Sequence, residues 1–308
     1  MSFRAAWAYP ALLLALWLVW GYNWVATKIG LTWMGPLEFA TVRIVLALGA
    51  LGAVLLFTGR PLRPPPWRPT LALGLTQTAG FTGLSSLALV AGGAGKVSVL
   101  AYTMPFWVLP MAWFWLGERP SRGQWGAVGV AALGLLAILE PWQGKHAWLS
   151  DGLAVGCGIA WAASAVIAKR LRATHRVDVL SLTFWQMVWG AWPLLGLMLV
   201  FPGKPTVWNA ELVVALGFAG ILAAGLGWLI WLVLLSRLSA GTAALNVLII
   251  PAVAVLAAWL QLGERPSPFE LTGMVLIALA LLRLAWLAGH PAAAPAAPSP
   301  AAPQRGSP

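Results

Sequence analysis

Apolar residues in this chain neither alternate with polar ones, as in a half-buried strand, nor mark a single helical stripe. They run on for about 20 residues at a time, the length that crosses the hydrocarbon core of a bilayer. Ten such stretches are read, at about Ala11–Thr32, Pro36–Phe57, Thr70–Val90, Gly95–Leu116, Gln124–Leu139, Gly152–Lys169, Leu180–Phe201, Leu212–Leu235, Ala240–Leu262 and Phe269–Leu287. Each predicts a helix, because a helix satisfies its own backbone hydrogen bonds in lipid. The first stretch contains Asn23 and Lys28 and shows no clear small-residue cleavage site, so it is expected to be an uncleaved helix and not a signal peptide. The joints are short, and the longest, from Gly59 to Pro69, is a proline-rich breaker. Residues 288–308 are Pro/Ala-rich and are expected to form a disordered cytoplasmic tail.

The pattern also repeats. Leu116-Gly117-Glu118-Arg119-Pro120-Ser121 recurs as Leu262-Gly263-Glu264-Arg265-Pro266-Ser267, 146 positions on. At the same offset Ala94-Gly95 meets Ala240-Gly241, Pro105 meets Pro251, and Ala112-Trp113 meets Ala258-Trp259. Two copies of a five-helix unit are implied, over 1–140 and 147–287. Five is odd, so the second copy must cross the membrane in the opposite sense. The expected fold class is an all-α membrane protein of ten transmembrane helices in two inverted five-helix repeats. Transporters use this architecture, with substrate held near the midplane at the repeat interface.

Composition narrows the function. Of 308 residues 60% are hydrophobic and 9% charged, against about 25% charged in a soluble domain, so one soluble globule is excluded. Nineteen basic residues face eight acidic ones. In a soluble protein that balance points to nucleic acid; here it reads as orientation. With the N-terminus inside, 13 basic residues fall on the inner side and 5 on the outer, which places both termini in the cytoplasm of a bacterial inner membrane. The expected partners are the lipid bilayer and a small-molecule substrate, not nucleic acid, with a homodimer left open. One cysteine, Cys157, and three histidines, His146, His175 and His290, in connecting or terminal segments leave no metal or cofactor site to expect. No aspartate-rich motif or GxSxG elbow suggests an enzyme.

Several marks then resemble the EamA-type members of the drug/metabolite transporter superfamily. They are Trp20-Gly21-Tyr22-Asn23-Trp24 with Lys28, Pro36-Leu37-Glu38 leading to Arg43, and Ala94-Gly95 through Pro105 to Leu116-Gly117-Glu118-Arg119, with its second copy. The resemblance covers about Ala11–Leu287. It implies a ten-helix inverted-repeat carrier of small metabolites, often amino acids moved outward, with helices 5 and 10 away from the substrate cavity. The second copy departs from the pattern where Gln186 stands in place of Arg43.

Polar groups within spans face other helices or a water-filled cavity. Arg43 would hold a substrate carboxylate, pair with Glu38 or Glu118, or snorkel toward the interface. Asn23, Gln77, Tyr102, Gln186 and Asn246 are candidate cavity residues because each offers several hydrogen-bonding positions. Trp20, Trp107 and Trp161 are the aromatic candidates, suited to apolar or cationic parts of a solute. Ser85, Ser98, Ser164 and Thr183 are expected to bond between helices. Lys28 and Lys169 end helices as C-terminal cations. Pro105, Pro251, Glu118 and Glu264 are candidate gating residues, the prolines because they permit kinks.

All eight acids, Glu38, Glu118, Glu140, Asp151, Asp178, Glu211, Glu264 and Glu270, fall in loops or near span ends. A cationic-drug antiporter needs a negative site, and ion relays commonly use buried carboxylates. A facilitated exporter of amino acids or their derivatives therefore fits best. The alternatives are a proton-coupled drug/metabolite antiporter, through Glu38 or Glu118, and a scaffold or sensor that does not transport.

Overall fold

The structure is a computed structural model that describes residues 3–60, 62–140, 148–235 and 249–289. Every regular element among them is helical. In chain order they are α1 (Phe3–Gly30), α2 (Pro36–Phe57), α3 (67–91), α4 (Ala94–Leu116), α5 (Arg122–Leu139), α6 (Trp148–Thr174), α7 (Val179–Val200), α8 (210–235), α9 (described over Ile249–Leu262) and α10 (Pro268–Gly289). Eight helices are long and apolar enough to cross a membrane; α3 stands outside that set, and the described part of α9 is apolar but shorter. The Pro/Ala-rich tail from 290 onward lies outside the described residues.

The repeated six residues are punctuation between helices. Gly117 and Gly263 end α4 and α9 with φ of 70° and 68°, in the left-handed region where glycine carries no Cβ penalty. The next amide turns back identically in both copies: Glu118 N donates to Ala112 O at 3.3 Å and Glu264 N to Ala258 O at 3.2 Å. The closing serines cap α5 and α10. Ser121 Oγ accepts from Gln124 N while Gln124 Oε1 accepts from Ser121 N. Ser267 and Glu270 make the same reciprocal pair at the start of α10.

Three helices depart from regular α geometry. In α3, Gly74–Phe81 is π-helical; in α8, Gly217–Leu226 is. Helix α4 breaks at Tyr102–Thr103 and resumes at Met104 with Pro105 in its first turn. That break agrees with the expected kink, since proline suits the start of a helix and disrupts its interior. Pro251 stands buried near the start of the described part of α9. The π segments have no counterpart in the apolar pattern, because adding a residue to one turn leaves hydropathy unchanged.

Both π segments serve close packing across the two halves. A Cβ on Gly74 would come within 2.7 Å of Gln186 O on α7, and one on Gly220 within 2.9 Å of Arg43 O on α2. Helices α5 and α10 pack on one another through a glycine crossing, where a Cβ on Gly134 would lie 2.8 Å from Gly273 O. Gly134→Ala is therefore expected to cost about 1–3 kcal/mol through overpacking. Gly129→Ala, on the same helix with open space around it, should cost nothing. Thermal unfolding of the two purified variants in one detergent separates them.

Candidate functional site: a cavity around Arg43

A cationic side chain is built into the bundle from α2. Arg43 is 6% exposed and lies seven residues past Pro36, so about two turns of helix carry it in from the end of α2. Its Nη2 donates to Asn23 Oδ1 on α1 at 3.3 Å, and its Nε has no partner. Among the described residues it pairs with no carboxylate. Glu38 accepts from Thr206 Oγ1 at 2.6 Å, and Glu118 is bound to Lys169 at 2.6 Å. The expected alternative of an ion pair from Arg43 to Glu38 or Glu118 is thus corrected: both acids are engaged at helix ends.

Arg43 and Asn23 open onto a cavity of about 80 Å³. Its polar floor adds Gln77 and Thr78 from the π segment of α3 and Gln186 from α7. Its wall is aromatic: Trp20 and Trp24 of α1, Phe81 of α3, Tyr102 at the break in α4, Trp161 of α6 and Trp228 of α8. These rings pack edge to face, with centroids 5.5 Å apart for Trp20 and Trp228, and 5.3 Å apart for both Phe81–Trp161 and Tyr102–Trp161. Trp20 Nε1 donates to Ala223 O at 3.0 Å and so ties α1 to the π segment of α8. No residue of α5, α9 or α10 lines this cavity among the described residues.

The sequence candidates divide cleanly. Trp20, Asn23, Arg43, Gln77, Tyr102, Trp161 and Gln186 line the one cavity. Trp107 does not; its Nε1 donates to Thr103 Oγ1 at 3.1 Å, one turn back along its own helix. Asn246 lies outside the described residues. Trp24, Phe81 and Met187 also line the cavity, although the apolar pattern does not single them out. Helical spacing held the signal: Phe81 is four residues past Gln77, and Trp24 and Met187 adjoin Asn23 and Gln186. The small hydroxyls correct another expectation. Ser85, Ser98, Ser164 and Thr183 each donate to a carbonyl three or four residues back in their own helix, not between helices.

Two ion clusters flank the cavity, at opposite ends of α4. Twenty-two residues separate Ala94 from Leu116, roughly 33 Å of helix. At the Ala94 end, Glu264 Oε1 accepts from Ala94 N at 2.9 Å and Oε2 from Gly95 N at 3.2 Å. Lys28 Nζ caps the other side of the same turn, donating to Leu89 O at 2.8 Å and Gly92 O at 2.5 Å. An anion thus sits at the N-terminus of α4 and a cation at the C-terminus of α3, each matched to the local helix dipole. Lys28 therefore caps a neighbouring helix, not its own. Lys96, one turn in, bridges Asp151 at 3.1 Å and Glu270 at 3.3 Å. At the Leu116 end the pair is Glu118–Lys169, with side chains 48% and 58% exposed, a setting in which an ion pair contributes little.

The arrangement is one buried cation in an aromatic and amide cavity, with clasps at two helix ends. The family model described as the EamA-like transporter family matches residues 7–140 and again 148–286. The chain belongs to the EamA-like transporter family. The repeated match means that each half of this EamA-like chain carries the family pattern by itself. Among curated relatives, an "Uncharacterized transporter YoaV" of Bacillus subtilis is 27% identical, covering 84% of this chain and 90% of that protein. A "Probable amino-acid metabolite efflux pump" of Escherichia coli is 29% identical over 86% and 90%. A "Probable terminal-alkyne amino-acid exporter" of Streptantibioticus cattleyicolor is 28% identical over 88% and 89%. A solved crystal structure, 18% identical, shares the fold with a TM-score of 0.65, covering 92% of this chain and 98% of that one. The chain is a multi-pass membrane protein and a transporter.

The Lys96 cluster gives a stability test. Asp151 is buried, its side chain 4% exposed, so Lys96→Met leaves its charge uncompensated. A loss of about 2–3 kcal/mol is expected, and Asp151→Asn in the same background should restore most of it. Unfolding midpoints of the single and double variants check this.

Proposed function

We propose that this transporter is a secondary exporter of small carboxylate-bearing metabolites, amino acids or their derivatives, across a bacterial inner membrane. It works by alternating access between two inverted five-helix repeats that together make ten spans, with both termini in the cytoplasm, and it carries out no covalent chemistry. The observation that carries the reading is Arg43, a buried cation facing a cavity with no carboxylate partner. A solute carboxylate is the group whose arrival compensates that charge. The names of the Escherichia coli and Streptantibioticus relatives support an amino-acid-like solute.

The two clasps supply a gating rationale. Glu264 belongs to the second LGERPS copy and locks onto the start of α4 in the first half. Glu118, its counterpart in the first copy, holds Lys169 at an exposed position. One end is then firmly tied across the halves while the other is lightly tied, as a carrier closed on one side requires. Cation-driven antiport is disfavoured because no acidic residue lines the cavity among the described residues.

Purified protein in proteoliposomes should exchange a radiolabelled carboxylate metabolite against the same unlabelled solute, and a protonophore should leave the rate unchanged. Strict dependence on an imposed pH gradient would establish the proton-coupled alternative instead. No counterflow across a panel of amino acids and organic acids would make the protein a scaffold. Glu264→Gln should raise solute leak or shift labelling of the cavity toward the Ala94 end, and Glu118→Gln should not.

A further inference from the structure

We infer that, among the carboxylate-bearing metabolites proposed above, the cavity favours derivatives whose net charge is negative, a monocarboxylate on an aromatic or apolar body without a free ammonium group, over the zwitterionic amino acids themselves. This rests on the reading that Arg43 takes the carboxylate, and deepens it by naming the rest of the solute.

Every acid of the protein is committed away from the cavity. The chain has eight carboxylate side chains, and all eight lie in the described residues. Each is held elsewhere: Glu38 by Thr206, Glu118 by Lys169, Glu140 by Ser267, Asp151 by Lys96, Asp178 by Arg60, Glu211 by Trp33, Glu264 by Ala94 and Gly95, and Glu270 by Lys96. The segments outside the described residues contain no Asp or Glu. No carboxylate side chain of this protein is therefore left to receive an α-ammonium group beside Arg43.

Charge balance then decides between solutes. An anion brings the sum of its own charge and that of Arg43 to zero. A zwitterion leaves the filled cavity at plus one, with its ammonium within a few ångströms of the guanidinium beside the aromatic wall. Like charges at that range repel strongly where water is scarce. Among the described lining residues the groups left for the ammonium are uncharged: amide and hydroxyl oxygens, such as those of Gln77 and Thr78, and ring faces. The rings of Trp20, Trp161 and Tyr102 pack edge to face with their neighbours and give the cavity an apolar wall for the body of the solute.

Four compounds on one skeleton separate the charges: 3-phenylpropanoate has the carboxylate alone, phenylalanine both groups, phenylalaninamide the ammonium alone, and 3-phenylpropanamide neither. Their binding to the purified full chain is measured by calorimetry at pH 6 in one detergent, with no variant required. 3-Phenylpropanoate should bind at least about tenfold more tightly than phenylalanine, with both amides weaker than their acids. Phenylalanine binding as tightly as 3-phenylpropanoate, with both amides weak, overturns this inference and leaves the carboxylate reading standing. 3-Phenylpropanamide binding as tightly as 3-phenylpropanoate overturns both. Failure of 3-phenylpropanoate to bind also overturns the inference.

Discussion

A guanidinium enclosed in an apolar bundle, with no carboxylate beside it, is the constraint around which the rest of this molecule is organised. Taking an ion out of water costs several kcal/mol even after relaxation, and proteins ordinarily offset that with an opposite charge. Among the described residues Arg43 has only an amide oxygen at 3.3 Å. The eight acids that would neutralise it are deployed at helix ends, where they cap, clasp and punctuate. Around Arg43 there is instead a cavity, two glutamine side chains and aromatic rings. That combination is expensive as architecture and coherent as a receptor for an anionic group.

The internal duplication explains how such a site is held. Each π segment presses a glycine against the helix that carries the polar residue of the opposite half, Gly74 on the Gln186 turn and Gly220 on the Arg43 turn. Scaffolding is symmetric and chemistry is not, since arginine on one side faces glutamine on the other. The same division recurs at the helix ends. Two copies of one six-residue motif make the same left-handed glycine turn and the same serine cap. Yet one glutamate clasps a helix N-terminus across the halves, and the other an exposed lysine. Equivalent positions of the two copies thus share a backbone turn and differ in the contact that the glutamate makes.

Much of this was legible from residue order. Long apolar runs gave helices because lipid permits little else. Seven of the nine proposed cavity residues line one space, because polar groups in apolar spans have few places to point. Other features left no mark in the pattern. The π segments change hydrogen-bond register without changing hydropathy, so only the glycines within Gly74–Phe81 and Gly217–Leu226 hinted at them. Trp107 was indistinguishable by composition from Trp161, and the break at Tyr102–Thr103 decides that one meets the cavity while the other bonds locally. The partner of Arg43 could not be read either, since Glu38, five positions away, and Glu118, just past the end of α4, both suggest pairs that the fold does not make.

On the function proposed above, the charge of Arg43, and not its bulk, makes this cavity a transport site. Proteoliposome counterflow of a carboxylate solute by Arg43→Gln and Arg43→Lys proteins, each matched to the parent in unfolding midpoint, tests it most directly. The glutamine variant should lose at least about tenfold in rate while the lysine variant keeps a measurable part of it. Counterflow by Arg43→Gln at the parental rate would contradict it.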